Sequence, residues 1–153
     1  MDNPFLTNLT DKLLPTFRLA GDLALNYRKL GLKVTSKEDK TPVTNADIAI
    51  NSLLTKDIEK LTPEIPIISE EVSKNKNLKN LSTFWLIDPI DGTHDYINNR
   101  DEFTLNAALI INKKPELGII NAPAKDRLFF TLGSDSREIR GNETYIKLTC
   151  TKK

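Results

Sequence analysis

Two amphipathic helical patterns in the first 61 residues, short apolar segments after them, and an acid-rich run embedded among those segments predict an α+β domain. Helix, helix and then mostly strands argues for two N-terminal helices packed on a mostly antiparallel sheet. Regular alternation of helix and strand would instead argue for a parallel α/β sheet. At 153 residues the chain is one domain of ordinary size. It can bury roughly 68–70% of its unfolded surface and needs no disulfide or structural metal as a staple.

The first helix is read from Leu6, Leu9, Leu13, Phe17, Ala20, Ala24 and Tyr27, which recur at steps of three and four and form one apolar face. Pro15 is expected to kink this helix or mark a restart, and Gly31 to stop it. Thr35 to Thr41, with Lys37, Glu38, Asp39 and Lys40, reads as a mobile polar loop. A second helix starts near Thr44 or Asn45, either of which can cap it. Ala46, Ile50, Leu53 or Leu54, and Leu61 give it a buried face, and Pro63 and Pro66 end it.

Ile65, Ile67 and Ile68 form a short strand before Ser69-Glu70-Glu71, and the Lys- and Asn-rich stretch 73–82 reads as a solvated loop. Thr83 to Ile87 is a buried strand. Phe103 to Ile111, Leu117 to Asn121 and Leu128 to Leu132 are three more, joined as an antiparallel meander with Lys113-Lys114-Pro115 as a turn. Beyond Leu132 the reading is a polar stretch with a last strand at Thr144 to Leu148.

Composition narrows the function. Twenty-two basic and 21 acidic residues leave a net charge of +1. That balance gives no electrostatic case for a nucleic-acid partner or a polybasic membrane anchor. The single cysteine, Cys150, excludes an internal disulfide framework and fits a reducing compartment. No apolar run approaches the ~20 residues of a transmembrane helix. No basic segment followed by an apolar core marks a signal peptide. A cytoplasmic location, with peripheral association at the inner membrane, is the expectation.

The chemistry concentrates in Asp88-Pro89-Ile90-Asp91-Gly92-Thr93. Two carboxylates sit where a strand ends and a turn begins. Pro89 fixes its own φ, Gly92 lets backbone approach a ligand, and Thr93 adds a hydroxyl. Glu70 occupies a similar place after the preceding strand. Such oxygen-only ligands favour Mg²⁺, Ca²⁺ or Mn²⁺ over zinc. Each acid has a plainer explanation when taken alone. Glu70 and Glu71 could be solvated, and Asp88 and Asp91 could make turn hydrogen bonds. Asp47, in the first turn of the second helix, is equally explained by the helix dipole. His94 reads as a polar surface residue more readily than as a substrate contact, and Trp85 as core.

Four blocks carry a family resemblance: Thr41-Pro42-Val43-Thr44-Asn45-Ala46-Asp47, Ile67-Ile68-Ser69-Glu70-Glu71, Trp85 to Thr93, and Glu102 to Leu109. From about Leu19 to about Leu132 the chain resembles the lithium-sensitive, Mg²⁺-dependent phosphatase family of inositol monophosphatase. Its wording is most similar to the CysQ-type 3'(2'),5'-bisphosphate nucleotidases. The resemblance implies the N-terminal domain of the inositol monophosphatase-like sugar phosphatase fold. It also implies a phosphomonoesterase that hydrolyses 3'-phosphoadenosine 5'-phosphate to AMP and phosphate with two Mg²⁺ ions. Glu70 and Asp88, with the Ile90 carbonyl, would bind the first ion; Asp91 would bind the second, with Asp88 bridging. The Gly92 and Thr93 amides would hold phosphate oxygens. Thr93 and Glu70 would position the attacking water, with Asp47 hydrogen-bonded to Thr93.

Members of that family carry a second, C-terminal domain, whose Trp-Asp motif supplies an aspartate to the second metal site; no Trp-Asp pair occurs in this chain. The expectation is a single N-terminal phosphatase domain over residues 1–148 with an incomplete second site. The partners expected are a small phosphorylated nucleotide or sugar, and either a second copy of this chain in a homodimer or a complementing C-terminal chain. An inactive remnant, half of a split enzyme, and inositol monophosphatase-like activity are the alternatives.

Overall fold

The computed structural model describes residues 3–71, 80–132 and 134–149. The expected loop at 73–82 falls largely, and Cys150 wholly, outside them. The α+β expectation holds: helices α1 (Pro4–Leu30) and α2 (Asn45–Leu61) cover one face of a sheet. The sheet has seven strands: β3 (Ile67–Ser69), β4 (Phe84–Asp91), β5 (Thr104–Ile111), β6 (Lys114–Ala122), β7 (Arg127–Leu132), β8 (Asp135–Arg140) and β9 (Ile146–Leu148). They lie in that order, with β3 parallel to β4 and every other pair antiparallel. No helix among the described residues is long and apolar enough to cross a membrane.

Helix α1 begins where Asn3 accepts the Phe5 N–H through its side chain at 3.1 Å, with proline at the first helical position. No restart occurs at Pro15; the helix runs through it as one element. Pro15 lies on the exposed side, and an interior proline costs about 3 kcal/mol. Burial of Leu6, Leu9, Leu13, Phe17, Ala20 and Ala24 on the opposite side offsets that cost.

The expected loop at 35–41 is instead the turn of a hairpin. Strand β1 (Val34–Ser36) pairs with β2 (Pro42–Thr44), and the Lys37 N–H donates to the Thr41 carbonyl at 2.8 Å. Charge density hid the strand, because β1 is fully exposed and carries no apolar alternation. Helix α2 starts as expected. Ile58, absent from the expected apolar face, is fully buried, whereas Leu53 and Leu61 only border the core.

Along β4 to β7 the inward positions are apolar: Trp85 and Ile87, then Leu105, Ala107 and Leu109, then Leu117 and Ile119, then Leu128 and Phe130. Two buried polar groups tie the helical layer to the sheet, and a third ties the segment after β4 to α1. Asn121 Nδ2 donates to the Phe17 carbonyl at 2.6 Å, Trp85 Nε1 to Thr62 Oγ1 at 3.0 Å, and the Tyr96 hydroxyl to the Ala24 carbonyl at 2.6 Å. Phe103 lies just before β5 and packs edge-on against Tyr96 at 4.8 Å. Lys114 and Pro115 open β6, so the turn is Asn112-Lys113, both at positive φ. Strand β8 replaces the expected polar stretch. Its Glu138 lies between Arg127 of β7 and Arg140 at 2.5 and 2.7 Å, and only Ile139 carries apolar signal.

Helix α1 meets β6 at Gly21. A Cβ there would lie 2.4 Å from Asn121 Nδ2 and 2.9 Å from Pro123 Cβ. Helix propensity favours Gly21→Ala by about 1 kcal/mol, but overpacking and the displaced Asn121 bond cost about 1–3 kcal/mol. Gly21→Ala is therefore expected to destabilise the domain. Urea unfolding followed by Trp85 fluorescence checks it; a raised midpoint would contradict this packing.

Candidate metal centre

Parallel pairing of β3 with β4 sets Ser69 opposite Ile87. Glu70, one residue further, donates its N–H to the Ile87 carbonyl at 3.1 Å and comes to lie beside Asp88. Strand β4 does not stop before Asp88, as its apolar run implies, but continues through Asp91. The pairing with β5 shifts register between Asp88 and Asp91. Such an irregularity re-aims side chains at a sheet end, and Asp91 emerges exposed while Asp88 remains half-buried. Pro89 suits this place because a bulged strand tolerates a missing N–H.

Gly92 follows in the left-handed region at φ 85°, where a Cβ would also meet the Glu102 carbonyl at 2.8 Å. Glycine is therefore demanded twice, by conformation and by close approach. The chain then enters α3 (Thr93–Ile97), which no side chain caps.

Asp47 is fully buried at the third position of α2. Its Oδ2 accepts the Thr44 N–H at 2.8 Å and the Thr44 hydroxyl at 2.5 Å, while the Asp47 N–H donates to Thr44 Oγ1 at 3.2 Å. This reciprocal capping box gives Asp47 a structural role and leaves Oδ1 facing Thr93. The Thr93 hydroxyl lies 3.4 Å from Asp47 Oδ1 and 3.1 Å from the Ile90 carbonyl.

Asp88 is the strained member of the group. Burial first, then contact with Glu70 and the charges of Glu70, Asp91 and Asp47, push its carboxyl up to about 8. Its Oδ1 is buried without a hydrogen-bond partner. A carboxylate oxygen shielded from water and surrounded by other acids fits a hard cation, which would supply the missing countercharge. Among the described residues no three acidic or histidine side chains form a ready cage. Glu70 accounts for part of this: its side chain is 53% exposed and leans toward Lys37 Nζ at 3.5 Å.

Lys37 is the group that sequence reasoning missed. Placed in an expected mobile loop, it reaches from the β1–β2 hairpin to Glu71 at 3.0 Å as well as to Glu70. The only signal for it was the acid pair Glu70-Glu71, which needs a cation when buried. Glu71 is that buried partner, with a side chain only 8% exposed. His94 stays outside the cluster, exposed and near Asp95.

Residues 8–150 match the inositol monophosphatase family. The CysQ 3'(2'),5'-bisphosphate nucleotidase of Buchnera aphidicola is 38% identical over 131 residues, 83% of this chain and 49% of that protein. The crystal structure of CysQ from Bacteroides thetaiotaomicron superposes with a TM-score of 0.64 at 28% identity, covering 90% of this chain and 51% of that one. A second structure, an IMPase/NADP phosphatase complexed with Mg²⁺ and phosphate, gives a TM-score of 0.72 at 21% identity over 87% of this chain and 52% of its own, a likeness of fold. The chain spans about half the length of the curated relatives it matches.

The raised Asp88 carboxyl makes the metal-free fold sensitive to pH. Between its ordinary 3.8 and about 8 the folded chain keeps a proton that the unfolded chain has lost. The unfolded state thus binds fewer protons, and stability falls as pH rises through that window. In chelator, Tm is expected to drop from pH 4 to 8. Asp88→Asn should flatten most of the drop, leaving the same-direction contributions of Asp47 and Glu71. An unchanged slope in Asp88→Asn would contradict the burial described.

Proposed function

The chain belongs to the inositol monophosphatase family, and on that premise we propose that it carries the metal-binding half of a Mg²⁺-dependent phosphomonoesterase. The substrate class is a small phosphorylated nucleotide or sugar, foremost 3'-phosphoadenosine 5'-phosphate, which gives AMP and phosphate. The observation that carries this reading is Asp88, with its unpartnered buried oxygen among Glu70, Asp91 and Asp47. Similarity to CysQ nucleotidases favours the nucleotide.

Glu70, Asp88 and the Ile90 carbonyl would hold one Mg²⁺, and Asp91 with Asp88 a second. When bound, the ions supply positive charge at the transferred phosphoryl group and lower the pKa of water. The protein's own groups do the positioning. A Thr93 hydroxyl that donates to Asp47 or Ile90 keeps its lone pairs free to accept a hydrogen bond from an attacking water, and it would take that water's proton only as its own passes to Asp47. Glu70 offers that water a second acceptor. Asp47, locked by Thr44, fixes the Thr93 rotamer rather than meeting substrate. The Gly92 and Thr93 amides, at an uncapped turn, suit phosphate oxygens. Lys37 balances Glu70 and Glu71 and can follow Glu70 as it turns toward a cation.

The one-domain boundary at 1–148 and a cytoplasmic place, with peripheral association at the inner membrane, belong to the same reading. A second reading is a split or multichain enzyme, because the matched region is only about half of each relative. There the remaining ligand of the second ion would come from a complementing chain or a second copy. Inositol monophosphatase-like activity remains the substrate alternative.

Phosphate release from 3'-phosphoadenosine 5'-phosphate, its sulfated form and inositol phosphate tests the proposal. Release should require Mg²⁺, stop with chelator, and fall at least about a hundredfold in Asp88→Asn. Release only after mixing with the second half of a CysQ relative would favour the split reading. No release from any substrate, alone or mixed, would sink both.

A further inference from the structure

Among the described residues, Asn106 Oδ1 joins Asp88 Oδ1 as a buried acceptor on this sheet without a hydrogen-bond partner. Asn106 is the register partner of Asp88 across the β4–β5 ladder. Its neighbours along β5, Leu105 and Ala107, point into the core. Alternation therefore puts Asn106 on the opposite face, the one that carries Asp88. Asp88 and Asn106 form one row across β4 and β5, extended by Glu70 just past the end of β3. The next residue in that row, Ile120 on β6, is apolar and ends it.

Both oxygens are acceptors shielded from water, and each stays unsatisfied unless a donor or a cation reaches it. A buried acceptor left unsatisfied costs about 1–3 kcal/mol, and native chains carry few such groups without an ion, water or functional reason. A side-chain amide oxygen is also an ordinary ligand for a hard cation.

We propose that Asn106 is a neutral ligand of the cation site, its amide oxygen and the Asp88 carboxylate sharing one cation, directly or through a single water of its shell. The proposal rests on the phosphatase reading above and extends it, since it adds a neutral ligand from β5 to the acids of β3 and β4. A neutral oxygen suits this position because the three neighbouring carboxylates already repel one another, and a fourth would raise that repulsion in the metal-free chain.

Calorimetric titration of the full chain with MgCl₂, paired with thermal unfolding in chelator, tests it without recourse to activity. Asn106→Leu, close in volume and without polar atoms, should weaken Mg²⁺ binding by about tenfold or more. It should leave the metal-free Tm equal or higher, because an unsatisfied acceptor has been removed. Asn106→Asp should do the reverse, tightening Mg²⁺ binding while lowering the metal-free Tm. It serves as the second test if the leucine variant does not fold. A Kd within twofold of wild type in Asn106→Leu, or a weakening that merely follows a lowered metal-free Tm, overturns the assignment while leaving the acidic cation site standing. Absence of Mg²⁺ binding by the wild-type chain overturns the cation site and the assignment together.

Discussion

The parallel pairing of β3 with β4 is the constraint on which the rest of the site depends. It brings Glu70 beside Asp88, and like charges so placed raise the energy of the ionised pair. The chain responds in two ways. Asp88 keeps its proton up to about 8, and Glu70 leans outward toward Lys37. Both relieve repulsion in the metal-free chain, and a divalent cation would reverse both for the same electrostatic reason. The irregularity after Asp88 separately turns Asp91 to solvent. Destabilisation held at one spot of an otherwise well-packed domain is the usual mark of a functional site.

The surrounding fold holds that spot still. Asp47 serves the start of α2 and the Thr93 hydroxyl at once, so the helix cap and the site share one side chain. The loop after β4 is anchored from below, where Tyr96 bonds the Ala24 carbonyl and Arg28 stacks over Phe103 at 5.1 Å. Arg28 also donates to the Arg100 carbonyl at 2.7 Å and pairs with Asp101. The last turn of α1 thereby sets the distance from α3 to β5.

Much of this was legible in the sequence because periodicity and turn chemistry are local. Leu6 to Tyr27 read as one face, the Thr44 cap announced α2, and the apolar alternation of β5 and β6 announced the meander. The acids were legible for another reason: polar residues at the ends of apolar strands have few structural uses. What failed to register depended on partners distant in sequence. Lys37 looked like one charge in a polar run until the hairpin carried it to Glu71. Strand β8 looked irregular because its Arg and Glu residues pair across β7 rather than with a core. Pro15 looked like a break because the burial that outweighs it comes from the sheet. Asn106 gave no signal at all; only the register with Asp88 makes it notable.

The central claim is that Asp88 holds a proton in the metal-free chain and yields it to a cation. Calorimetry of Mg²⁺ binding near pH 7, repeated in two buffers of different ionisation enthalpy, measures that directly through the protons released. The account predicts release approaching one proton per ion bound to the first site in wild type, and none in Asp88→Asn if that variant still binds. Binding with no proton release, or equal release in both proteins, would contradict it.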